Sequence, residues 1–225
     1  MEDIVTIFCS YSYENSINEK MLYYDYNFPL EEVLEYVNQV INIPVERLLE
    51  VALHNSEEKR ITAKDVFQFS NWDDATYRIC TVIKAAKNPG VTYLDAGKLL
   101  LNDGKIRKNG AFIKYGENHA KTASSLGLLY ELTHVFFLSC VGYVSDQLND
   151  DQKERLLIRL ILRSKLIQKL YAASQNGKVD VRQFLFMLSD STYRRRRSNI
   201  KTVTKVLENS REFNFTNFLS KLEFK

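Results

Sequence analysis

The sequence predicts a mainly α protein: helical units in tandem with one short β-hairpin, preceded by a small acidic region. Three observations carry that expectation. Gly (8) and Pro (3) are scarce in 225 residues, which disfavours a loop-rich or all-β chain. Apolar residues make up 45% of the chain and aromatic residues 12%, enough to bury a core. After Pro29, apolar positions recur at helical spacing through most of the length.

Residues 1–28 are rich in Tyr, Asn and Ser and alternate weakly over 3–12, which reads as short strands or irregular structure. Pro29 opens a helix with Leu30, Val33, Leu34, Val37 and Ile41 on one face. Glu31, Glu32 and Glu35 suit the dipole at its start. Pro44 starts a second helix over 45–53. Asn71-Trp72-Asp73-Asp74 marks a junction and a cap, followed by a helix to about residue 87 that Asn88-Pro89-Gly90 ends.

Thr92 and Asp95 form a capping-box pattern for a short helix over 93–101. Asn102-Asp103-Gly104 is a turn, and 105–114 is a basic loop. Residues 116–125 form a small-residue helix held by Ala120, Ala123 and Leu126, with Gly127 just past its end. The β-rich stretch 128–144 predicts two short strands. One long helix follows over 151–173, with Arg155, Arg159 and Arg163 at i, i+4, i+8. A short helix spans 179–188, and Ser189-Asp190-Ser191-Thr192 caps another from Tyr193 to about residue 209. The Phe-rich tail docks on the body. This divides the chain into an acidic region (1–71), a first unit (72–149) and a second helical unit (150–225).

Charge is unevenly spread. Residues 1–74 hold 5 basic and 15 acidic side chains, net −10, whereas 151–225 hold 17 and 7, net +10. A basic back suggests a polyanionic partner; the alternative is that the two ends pair with each other. Cys9, Cys80 and Cys140 are widely spaced in apolar surroundings, which fits buried thiols in a reducing compartment and gives no zinc-ligand spacing. The acidic start is unlike a signal peptide, and no apolar run approaches the ~18 residues of a membrane span. A cytoplasmic location with no membrane partner is expected.

The order helix, short helix, polar-faced helix, then β-ribbon is that of a winged helix-turn-helix, and the helical part of that order recurs in 151–209. The fold class expected is therefore tandem winged-helix or helix-turn-helix-like units with a short β-wing. In the first unit Lys114, Asn118, Lys121, Thr122 and Ser125 are available to meet DNA; Asn suits adenine, and Lys suits guanine or phosphate. In the second, Arg194, Arg195, Arg196 and Arg197 sit near a helix start, where positive charge opposes the dipole, and Lys201 and Lys205 continue the face of Arg197. Each of these patterns also fits a solvated surface.

Tyr115-Gly116-Glu117-Asn118-His119-Ala120-Lys121 with Ala123 and Leu126-Gly127-Leu128 resembles the third-helix segment of winged-helix domains in prokaryotic restriction-modification and defence proteins. Phe137-Leu138-Ser139 with Gly142 resembles the strand after their wing, and Tyr193 to Ser198 with Lys201-Thr202-Val203 resembles the arginine-pair helix of a second unit. The resemblance covers 72–209 and implies recognition of double-stranded DNA, by a target-recognition subunit or a regulator. Only a short Phe-rich tail follows residue 209 in this sequence, so the resemblance leads us to expect target recognition rather than cleavage.

Catalytic patterns are weak. Glu57-x-Lys59 and Glu223-x-Lys225 match the acid-x-Lys string of Mg²⁺-dependent endonucleases without an upstream acid on a strand. His119 and His134 lack a Ser or Cys partner elbow, and no Gly-rich phosphate loop is present. No cofactor is expected unless Mg²⁺ serves an endonuclease. A protein scaffold without DNA is the third reading. The acidic, tyrosine-rich front is expected to dock a protein partner or a second copy, or else to fold over the basic back.

Overall fold

The computed structural model describes residues 3–23, 27–54, 60–86 and 88–225. Among these the protein is mainly helical, with two small two-stranded sheets. The front departs from the expected strands. It forms α1 (Ile4–Ser10) and α2 (Ser12–Tyr23), joined at Tyr11 in left-handed backbone with φ 61°. Alternation over so few residues is a weak signal, and burial of Val5, Phe8 and Ile17 in the common core decides for helix. α3 (Leu30–Ile41) and α4 (Val45–His54) start directly after Pro29 and Pro44, as predicted.

The middle of the chain runs helix, bridge, helix, helix, hairpin. α5 (Tyr77–Ala85) leads to Val91, which pairs with Phe136 in an antiparallel bridge. The capping box of Thr92 and Asp95 is formed and opens α6 (Tyr93–Leu100). α7 (Asn109–Ser125) starts earlier than expected, so the basic loop is shorter and 109–114 are helical. Its end is a Schellman turn: Leu128 N–H donates to Ala123 O and Gly127 N–H to Ser124 O, both at 2.9 Å, with Gly127 at φ 82°.

The hairpin β1 (Leu129–Leu132) and β2 (Val135–Leu138) closes through Thr133 and His134, both at positive φ. Residues 140–144, expected as strand, are instead a short helix, α8 (Cys140–Val144). Ser139 caps it through Gly142 N–H, and Gly142 lies against the Leu128 carbonyl where a Cβ would come within 2.1 Å.

The expected single helix over 151–173 is two, α9 (Asp150–Arg163) and α10 (Lys165–Ser174). Ser164 breaks it in extended backbone (ψ 134°), its hydroxyl donating to Ile161 O at 2.7 Å. The arginine stripe of α9 is spent inside the protein. Arg155 and Arg159 pair with Glu212, and buried Arg163 pairs with buried Glu14 at 3.0 Å. Both α3 and α4 pack on α9, and α4 also packs on α10.

Then follow β3 (Val179–Asp180), α11 (Val181–Phe184), α12 (Asp190–Glu208), α13 (Thr216–Leu219) and β4 (Leu222–Glu223), which pairs parallel with β3. Phe215 and Phe218 dock the tail on the body. One hydrophobic cluster draws on front, middle and back, from Val5 and Phe67 through Ile79 and Leu126 to Leu160 and Phe215. No helix among the described residues is long and apolar enough to cross a membrane.

Candidate nucleic-acid interface

Glycines set the pose of α7. A Cβ on Gly97 would lie 1.9 Å from Phe112 O, and one on Gly116 would lie 2.0 Å from Tyr93 O. α6 and α7 therefore cross backbone against backbone, which no other residue pair permits. Beyond that crossing the first turns of α7 project. Asn109, Gly110, Ala111 and Lys114 are exposed, as are Lys105 and Lys108 in the loop before them. Ile106 at the tip of that loop is 103% exposed. Arg107 is committed to Asp103 at 2.7 Å and holds that carboxyl well below its usual range.

The second half of α7 is engaged by the protein itself. Thr122 is buried; its hydroxyl accepts from Gln68 N–H at 2.8 Å and donates to Gln68 O at 2.7 Å. Asn118 accepts from the Gln68 side-chain amide. Ser125 donates to Thr122 O at 2.8 Å, and Lys121 pairs with Glu117 at 2.6 Å. Of the five α7 residues picked out in the sequence, Lys114 alone projects on the open turn. Thr122 and Asn118 fasten α7 to the segment 66–71, and Lys121 and Ser125 line a cleft at its far end.

His119 completes this fastening. Its Nδ1–H donates to Tyr115 O at 2.7 Å, and Nε2 accepts from Asn71 N–H at 3.2 Å. Burial lowers its pKa, and with both ring nitrogens bonded to backbone the ring pins α7 to the segment before α5. Beside it, buried Asp74 accepts from Tyr115 Oη at 2.5 Å and pairs with Arg78.

The same segment holds α12. Gln68 Oε1 accepts from Arg196, and Asn199 Nδ2 donates to Phe69 O at 2.6 Å. One glutamine side chain thus joins the two helices that the sequence singles out. Gln68 carries no signal in the sequence beyond lying between apolar Phe67 and Phe69, so its role was legible only in three dimensions. Burial and adjacent Arg195 bring the Arg196 pKa down to about 10. Arg194, Arg195, Lys201 and Lys205 are exposed; Arg197, half-buried, reaches Phe224 O at 3.5 Å, and Lys201 lies over the Phe224 ring at 5.2 Å.

α12 starts at Asp190 on a Ser189 cap, three residues before the start read from the sequence, because Ser189 reaches Thr192 N–H. The arginines therefore lie in its second turn, and their conflict with the helix dipole is smaller than expected.

The acid-x-Lys strings fare differently. Glu57 and Lys59 lie outside the described residues. Glu223 lies on β4 opposite Asp180 on β3, and Lys225 Nζ is 3.3 Å from Glu223 and 3.8 Å from Asp180. Lys178 and Lys225 hold the Glu223 carboxyl below its usual range. Burial pushes the Cys80 thiol up to about 12 and Cys140 well above its usual value, so neither is an activated nucleophile. The chain matches no family model, no curated protein and no solved structure.

Proposed function

We propose that the protein binds double-stranded DNA in the cytoplasm, as a target-recognition subunit or regulator of a restriction-modification or defence system. In this reading α5, the Val91 bridge, α6, α7 and the β1–β2 hairpin form a winged helix-turn-helix, and α10 to α12 a second helix-turn-helix-like unit. The observation that carries it is the joining of two cationic helices through Gln68. Arg194, Arg195, Lys201 and Lys205 of α12 and Lys114 of α7 are exposed on those helices. Such cations suit phosphates, and the projecting first turn of α7 suits a groove.

The test is a mobility shift on random duplex across a salt series, with and without Mg²⁺. Binding that weakens by a factor of about a thousand or more between 50 and 200 mM salt is expected for six or more neutralised phosphates. No shift at low salt would end the reading.

The pairing of Asp180 with Glu223-x-Lys225 favours a second reading, an endonuclease in which Asp180 and Glu223 would hold Mg²⁺ and the metal would supply charge neutralisation at the phosphate. The same experiment separates them, because only the second gives cut DNA with Mg²⁺ and loses it in Asp180→Asn.

A further inference from the structure

Three parts of the chain distant in sequence wall a cleft of about 400 Å³. The front gives Tyr11, Lys64 and Asp65; the middle gives Tyr93, Lys121, Ser124, Ser125, Glu131 and His134; the back gives Ser164 and Lys165. A second hollow of about 210 Å³ adjoins it through Tyr11, Asp65 and Lys165, and is walled by Arg163. The volume is that of a small-molecule site.

The cleft's two acids are already supplied. Asp65 accepts from Thr62 N–H at 2.6 Å, from Thr62 Oγ1 at 2.8 Å and from Lys165 at 3.5 Å. Glu131 accepts from Tyr93 Oη at 3.3 Å and lies 3.2 Å from His134 Nδ1. The lysines are not used up: Lys165 places one proton on Asp65 and Lys121 one on Glu117, of three that each ammonium carries.

The start of α10 adds further donors, since Ser164 turns its hydroxyl back to Ile161 O and leaves the first turn without a side-chain cap.

We propose that this cleft binds a phosphate monoester of mononucleotide size, its phosphate held by Lys64, Lys121, Lys165 and the start of α10, its ring against Tyr11 or Tyr93. The proposal does not depend on DNA binding. A DNA backbone would bring a singly charged diester, a free nucleotide a doubly charged monoester with three open oxygens; the proposal is the free one, because three lysines face the cleft and it has room for a ring.

Calorimetric titration of the full chain with adenosine 5′-monophosphate, adenosine and inorganic phosphate tests it, with the Lys64→Gln/Lys165→Gln double variant alongside Lys98→Gln as control and circular dichroism as the check on folding. Expected is saturable binding of the monophosphate, weaker binding of phosphate and none of adenosine. The double variant should raise Kd by about tenfold or more, the size of one lost charge-assisted hydrogen bond, and Lys98→Gln should leave it unchanged. The proposal is overturned by equal binding of adenosine, by a double variant that is folded and binds like the control, or by duplex DNA binding with no mononucleotide or phosphate binding at all.

Discussion

Arg163 and Glu14 meet with side chains 1% and 3% exposed, and the guanidinium also donates to Phe8 O and Leu126 O. Removing one partner strands a buried charge. Arg163→Met is expected to cost about 3–5 kcal/mol in denaturant unfolding, and Arg163→Met with Glu14→Leu to recover much of it. Losses that simply add would show that the two residues do not act as a pair. His119 makes a pH prediction. Burial lowers its pKa below 6.5 in the folded state, so the unfolded chain binds more protons as pH falls. Its contribution is full above pH 6.5 and is lost downward from there to the folded pKa, with a slope of at most about 1.4 kcal/mol per pH unit. Unfolding measured from pH 8 to pH 5 should show this slope, and His119→Gln should flatten it.

At the scale of the element, the α6–α7 crossing leaves no room for a methyl group. Gly116→Ala would press a Cβ onto the Tyr93 carbonyl, and the expected cost is about 3 kcal/mol, the upper end for overpacking. A thermal melt of Gly110→Ala provides the contrast, because a Cβ there meets nothing within 4 Å and alanine favours helix. α12 gives the functional counterpart. Arg194 and Arg195 are exposed in its second turn, clear of the first-turn dipole. Arg194→Gln with Arg195→Gln should therefore leave the melting temperature in place while duplex affinity falls and the salt slope shrinks by about two. A shift in melting without a change in slope would place these arginines in the fold rather than at DNA.

For the whole molecule, front and back are tied together. Glu14 neutralises Arg163, Asp65 meets Lys165 at 3.5 Å, and the segment 66–71 laces α7 to α12. The net −10 front is therefore part of the folded body. Deletion of residues 1–70 should abolish cooperative unfolding, because it strands Arg163 and uncovers core that Val37, Leu48 and Phe67 close. A truncated chain with a sharp melt and native helix content would separate the front from the rest.

Local chemistry alone determined the helices that begin after Pro29, Pro44 and Thr92, the turn at Gly127 and the mainly helical class. Capping and proline geometry act within four residues, so a sequence displays them. The helical front and the helix over 140–144 were decided by tertiary structure, through burial of Phe8 and Ile17 and the close approach of Gly142 to Leu128. The candidate site divides the same way. Helical spacing placed Lys201 and Lys205 together on α12, but which polar residues of α7 stay open depended on a strand of backbone fifty residues upstream that fills the hydrogen-bonding capacity of Thr122. A side chain's type states what it can bond to; only the fold decides whether that bond is already made.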